Sequence, residues 1–369
     1  MSHARESTSD AYPILLAGGV LAWSPRGRIA LTGTDRHSFL HAFCTNDIKR
    51  LRPGGVCEAF FCQANGKIIG HGFVECEEQR LVIDTVADQV EPLLRHLDRY
   101  LIREDVQLSD ASGEHQAWVF LGKAGDYVRN LLVVPPTSDE TRSDSESASS
   151  LPSAGQTFEW AGIHGRLRAC PWEAPPGRSA LVQLPPRTET RVLDSLCQQV
   201  RDKAIEAGVE PATAALATTR LDEAGRELWR VLAGIPLYGI DITLDNLPQE
   251  VGRNATAISF NKGCYLGQEP VARIDALGHV NWELVRIGVP GVEPDGAWIR
   301  GASVLIQDKP ALRLATLAPL PSLRLLVGMA YVRRDQRRLA RPQLSCPVSE
   351  GVLVTPNGDV LINPEILKS

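Results

Sequence analysis

Residues Lys262–Glu269 read KGCYLGQE. One cysteine, Cys264, lies between two glycines, two residues after a lysine and shortly before an amide and a carboxylate, Gln268 and Glu269. A thiolate is the nucleophilic form of cysteine, and a nearby ammonium favours it. Lys262 can supply that charge, and so can Arg273 if the fold brings it close. With access, such a thiol acts as a nucleophile or a one-carbon acceptor. Gly263 and Gly267 give the backbone shapes closed to other residues and let a ligand approach. Pro248 and the NKG at 261–263 argue for a loop. The plain alternative is a small buried thiol in a tight turn, since free cysteine is among the most buried residue types.

Other residues offer binding chemistry, each with a structural counterpart. Lys262 and Arg273 suit a carboxylate tail, or stand as ordinary surface charges. Gln268 and Glu269 either hold the loop or touch a ligand. Asn46 and Asp47 follow a predicted helix and either line a cleft or fill a turn. Tyr238 either stacks on a flat ring or closes the core beside Pro236 and Gly239. His71 is expected on a surface strand.

Strands and helices must hold these residues. Arg28–Thr32 predicts a strand, with Thr34 or Asp35 capping a helix that carries Phe39, Leu40 and Phe43. Val56–Gln63 and Lys67–Cys76 flank Asn65–Gly66, a strong hairpin signal. Arg80–Thr85 predicts the next strand, and Val90, Leu93, Leu94, Leu97 and Leu101 mark a helix. Thr190–Ala207 and Leu216–Leu232 read as helices, and Gly278–Val289 as a strand. Interleaved strands and helices indicate an α+β body. Residues 135–156, rich in serine and poor in large apolar side chains, predict a disordered insertion. From Gly291 on, short apolar runs between Gly and Pro predict a small β-barrel of about eighty residues. The expected division is therefore a body at 12–290 and a C-terminal barrel at 291–369.

Composition excludes several classes. With 43% apolar and 22% charged residues over 369 positions, the chain is of ordinary globular type. A net charge of −5 gives no footprint for direct nucleic-acid binding. The eight cysteines form no C-x-x-C pair, so neither zinc nor an iron–sulfur cluster held by this chain alone is expected. No apolar run is long enough to span a bilayer, and the polar N-terminus lacks the apolar core of a signal peptide. A cytoplasmic monomer with reduced thiols is expected.

The motif resembles the hallmark of the YgfZ-type folate-binding family, relatives of the glycine-cleavage T-protein, an aminomethyltransferase. The family pattern is close to KGCY-x-GQE-x-V-x-R, matched at Lys262, Gly263, Cys264, Tyr265, Gly267, Gln268, Glu269, Val271 and Arg273. Ala30–Asp47, Arg230–Asp241 (RVLAGIPLYGID) and Leu247–Glu250 resemble further family segments in the same order. The likeness implies a T-protein-like α+β body of antiparallel sheets and helices around a central cleft. It implies tetrahydrofolate, or a one-carbon derivative, in that cleft with Cys264 at its mouth. Lys262, Gln268, Glu269, Arg273, Asn46, Asp47, Arg230 and Tyr238 become the candidate folate-binding residues. It also implies iron–sulfur client or assembly proteins as partners, tRNA-modifying enzymes among the clients. The sequence departs from the pattern twice. Gly70 and His71 replace the paired aspartates of the aminomethyltransferases, which argues against amine-transfer chemistry. Leu232 replaces a glutamate suited to the N–H edge of a pterin. A folate-dependent aminomethyltransferase and a folate-free protein-binding module are the rival readings.

Overall fold

Three largely antiparallel sheets carry the chain in a computed structural model that describes residues 11–23, 26–132, 155–171, 179–290, 303–306, 309–336 and 360–361. The chain begins with α1 (Tyr12–Ala17), β1 (Val20–Ala22), β2 (Gly27–Thr32) and α2 (Arg36–Phe43). The hairpin β3 (Val56–Cys62) and β4 (Ile68–Cys76) follows, then β5 (Leu81–Thr85), α3 (Val90–Asp98) and β6 (Gln107–Asp110). Next come β7 (Gln116–Phe120), α4 (Gly122–Leu132), β8 (Gln156–Trp160), β9 (Ile163–Ala169) and β10 (Ala180–Leu184). Then follow α5 (Thr190–Glu206), α6 (Pro211–Ala217), β11 (Arg220–Leu221) and α7 (Glu223–Leu232). The chain continues through α8 (Asn254–Ala257) and α9 (Gln268–Leu277) to β12 (Trp282–Pro290), β13 (Ser303–Ile306), β14 (Lys309–Leu320), β15 (Leu325–Arg333) and β16 (Val360–Leu361).

One five-stranded sheet has the order β3-β4-β5-β2-β6. Its alternating apolar positions Ile29, Leu31, Val74 and Ile83 pack on Phe39 and Leu40 of α2 and on Leu93 and Leu97 of α3. The six-stranded sheet, β11-β1-β7-β10-β9-β8, is covered by α4 and α5 through Val128, Leu196 and Val200. The faces left bare by these helices meet each other: Phe73 shares a core with Leu21, Val119 and Leu181. Two sheets face to face, each backed by helices, make the α+β body. The third sheet, β13-β14-β15-β12-β16, seals against Leu228 and Val231 of α7 through Val327 and Met329.

Three local expectations are corrected. The stretch 216–232 is not one helix. It breaks at β11, which pairs with β1, and Asp222 then caps α7 by accepting from Gly225 N at 2.8 Å. Neither Thr34 nor Asp35 caps α2 with its side chain. Thr34 Oγ1 donates to Asp105 Oδ2 and Asp35 Oδ2 accepts from Asp105 N, tying the loop to the residues just ahead of β6 instead. Among the described residues the C-terminal sheet is open rather than a closed barrel: β13 and β16 are its two edges and do not pair. It also recruits β12, paired with β15 from Trp282 to Pro290, so it begins ahead of residue 291. The insertion expected at 135–156 lies outside the described residues except for Gly155 and Gln156, where β8 begins.

Candidate functional site

The motif loop is built on the end of α2. The last turn of any helix leaves carbonyl groups without partners. Here Lys262 Nζ donates to the carbonyls of His41, Cys44 and Asn46 at 2.5, 2.6 and 2.8 Å. An ammonium has three donors, and all three are committed. The charge also complements the negative end of the helix dipole and lies 4.8 Å over the Tyr265 ring. Burial lowers the Lys262 pKa, and the same charge helps burial hold the His41 pKa below its ordinary value.

Thr45–Asp47 sews this loop to β3. Thr45 Oγ1 donates to Ala257 O at 2.6 Å and accepts from Phe60 N at 2.9 Å. Asn46 Nδ2 donates to the carbonyls of Glu58 and Thr256, both at 2.8 Å. Asp47 stands 3.3 Å from His41 Nδ1 and from Arg50 Nε. At Gly267 the backbone turns with φ +82°, and a Cβ there would lie 2.4 Å from Gln63 O. Only glycine fits that approach. Gly263 has no such demand, since a Cβ there would meet nothing nearer than His41 Nε2 at 3.9 Å. Beyond Gly267, Gln249 Nε2 donates to Val271 O at 2.7 Å and pins α9.

What remains faces outward. Cys264 is exposed. Glu269 and Arg273 are exposed on α9, and Gln268 is half-exposed. The side chains of these four make no hydrogen bond to other described residues. Cys62 and Cys197, by contrast, are buried thiols pushed up to about 12 and about 11. Of the seven cysteines among the described residues, Cys264 alone is exposed. No group of His, Cys, Asp or Glu among the described residues is arranged to hold a metal ion. No described helix is long and apolar enough to cross a membrane.

Two other candidates are interior. Arg230 gives its whole guanidinium to protein acceptors: Glu227, Ile235 O, Asp241 and Thr316. Asp241 also accepts from Thr316 Oγ1 at 2.5 Å, so this knot joins α7 to the third sheet. Leu232 packs into the apolar seam between α7 and that same sheet. Tyr238 is half-buried, and its hydroxyl reaches Ile68 O at 3.4 Å. It lines a cleft of about 620 Å³ beside α3.

His71 is not a surface histidine. Strand β4 is buried on both faces, Val74 packing under α2 and α3 and Phe73 between the two sheets, and His71 is 2% exposed. Its Nε2 donates to Glu58 Oε1 at 2.8 Å, and its ring lies 5.0 Å from Phe60. Glu58 accepts further from Arg253 at 2.7 Å and Thr256 at 2.6 Å. Burial alone would raise the Glu58 carboxyl, but the bonds from His71 and Arg253 overcome it and bring it down to about 2. On the neighbouring position, a Cβ at Gly70 would come within 2.6 Å of Leu93 and 3.1 Å of Gln89 Oε1. Sequence reasoning missed this cluster and a second one between the facing sheets. In the second, Arg28 joins Glu75 and His115, and Arg168 pairs with Glu75. The available signal was charge at inward strand positions, legible only once the sheet order is known.

Two facing sheets with a third sheet sealed by α7 make up this fold, and a solved aminomethyltransferase shares it. The aminomethyltransferase T from Bartonella henselae superposes with a TM-score of 0.63 over 89% of this chain and 82% of its own, at 17% identity. Among curated proteins, a "tRNA-modifying protein YgfZ" of Vibrio vulnificus is 26% identical over 253 residues, 67% of this chain. That match takes in 63% of the relative, a little under two thirds of its length. An "Aminomethyltransferase" of Thermoanaerobacter pseudethanolicus is 22% identical over 286 residues, 74% of this chain and 69% of its own. No family model matches the chain. By sequence and fold together, the chain resembles the YgfZ-type proteins and the glycine-cleavage aminomethyltransferases.

Proposed function

We propose that this protein is a YgfZ-like, tetrahydrofolate-binding accessory protein that supports assembly or maintenance of iron–sulfur clusters in client enzymes, tRNA-modifying ones included. The observation that carries the reading is the motif loop: an exposed thiol held on a rigid cap of α2, between relatives named for tRNA modification and for aminomethyl transfer. Tetrahydrofolate, when bound, supplies a carrier for one-carbon units.

The motif residues divide when tested against such a ligand. Lys262, Asn46 and Arg230 have their donors committed to protein acceptors and fit a framework role. Gln268, Glu269, Arg273 and Cys264 keep free polar atoms. They line neither of the two clefts described for this fold, and they suit an anionic tail or a client surface better than an enclosed pterin ring. Cys264 is assigned the reacting or redox-protective role toward the client.

The aminomethyltransferase reading is weakened at the acid pair. An aspartate at position 70 requires Leu93 to move, and His71 is bonded to Glu58. Formation of methylenetetrahydrofolate from an aminomethyl donor would restore it. Leu232, packed in an apolar seam, favours the folate-free module among the rivals. Calorimetric titration with tetrahydrofolate decides between that module and the main reading. Saturable binding supports the accessory protein; no binding by the folded protein turns the reading to the module.

A further inference from the structure

A second cleft opens where the end of α9 meets the start of β12. Asn254 of α8, Asp275 of α9, His279, Glu283 of β12 and Arg334 line it together with Gln249. The backbone closes one side, Arg334 N donating to Asn281 O at 2.8 Å. The volume, about 490 Å³, is that of a small-molecule site.

Several features of its lining call for positive charge. Gln249 is 6% exposed, and its Nε2 donates to Val271 O at 2.7 Å. A carbonyl only accepts, so this bond fixes the amide and makes Oε1 its other end. That oxygen is buried without a donor, which is costly. The C-terminal end of a helix carries partial negative charge and is stabilised by cations. Helix α9 has no basic residue in its last turn. It carries Asp275 there instead, exposed and without a side-chain hydrogen bond or ion pair to other described residues. His279 Nδ1 lies 2.9 Å from Leu277 O and must donate to it, so in the neutral ring Nε2 is an acceptor. Glu283 adds a second carboxylate to the lining.

An acid at a helix C-terminus and a buried acceptor without a donor each destabilise the empty protein. A bound cation relieves both. One group of opposite sign stands among them. Arg334 is exposed, and it has no acidic partner among the described residues, whereas its neighbour Arg333 pairs with Asp335 at 3.0 Å.

We infer that this cleft binds a basic α-amino acid, its cationic side chain on Asp275, Gln249 Oε1 and the end of α9, and its carboxylate on Arg334. A guanidinium suits the cationic half, since its several N–H donors answer several acceptors at once. A linear polyamine shares that half of the chemistry and lacks the carboxylate. The site does not depend on folate binding.

The test is calorimetry on the full chain with two probes, L-arginine and spermidine. Three proteins are compared: wild type, Asp275→Asn and Arg334→Gln. Both substituted side chains are exposed, so the variants should keep the wild-type melting temperature. The expected result is saturable L-arginine binding that weakens about tenfold or more in each variant. L-arginine binding unchanged in both variants overturns the cleft as its site. Spermidine bound more tightly than L-arginine, and undiminished in Arg334→Gln, overturns the amino acid in favour of a polyamine. No saturable L-arginine binding by the folded wild type overturns the inference, and it leaves the tetrahydrofolate titration to decide the proposed function separately.

Discussion

The two sides of the segment 256–277 do different work. On the inner side, Lys262, Tyr265, Gly267 and Val271 close a helix end, cover a cation, pass under a carbonyl and anchor α9. On the outer side, Cys264, Glu269 and Arg273 are exposed and uncommitted. Both sides belong to one motif and both are rich in polar chemistry. The difference teaches that reactive residue types in a row need not react together. Half of them can be the mount on which the other half is displayed.

The largest effect is expected on the inner side. Lys262→Met leaves three buried carbonyls without donors and removes a charge from a helix end, costing about 3 kcal/mol or more. Urea unfolding measures it, and a loss under 1 kcal/mol would break the comparison. Acid should act next, through Glu58. Its folded value, about 2, lies below its ordinary 4.5. The stability it contributes is therefore present above 4.5 and lost as the pH falls toward 2, roughly 3 kcal/mol in full. Between pH 6.5 and 4 the loss belongs to histidines held low by burial, with His41 among them and His115, which burial and then Arg28 hold down at about 4, foremost. The unfolded chain takes up their protons first, so stability again falls with pH. Unfolding curves of wild type and Glu58→Gln should differ in slope below pH 4.5 and run parallel above it.

Smaller effects sharpen the contrast. Gly267→Ala forces a Cβ against Gln63 O at positive φ and should cost more than about 1 kcal/mol, whereas Gly263→Ala has open space and should cost within about 0.5 kcal/mol. Equal losses in the two would contradict the turn assignment. Least of all, Cys264→Ser should leave stability within about 0.5 kcal/mol of wild type. Brief alkylation at pH 8 followed by peptide mapping should label Cys264 ahead of the six other described cysteines.

How much of this was legible in the sequence depended on range. The hairpin at Asn65–Gly66 and strand β5 follow from local periodicity and turn chemistry and stand within a residue or two of expectation, while helix α3 starts at Val90 as expected and ends at Asp98, three residues short of Leu101. The likeness to the aminomethyltransferase family was also legible, because motif spacing survives without coordinates. The partners of Lys262 were not, since its acceptors lie more than 200 positions earlier and carbonyls have no signature in a sequence. His71 was misplaced because burial on the second face of a strand depends on what packs over the sheet, which alternation alone does not give. The closed barrel failed for a similar reason: short apolar runs predict strands but not whether the edges meet.

The central claim is that the loop exists to display Cys264. The direct test is complementation: wild type, Cys264→Ser and a vector control are expressed in cells lacking the protein, and the activity of an iron–sulfur client is compared at matched protein levels. The account predicts that Cys264→Ser accumulates like wild type and fails to restore the client. Full restoration by Cys264→Ser would contradict it and leave the loop as architecture alone.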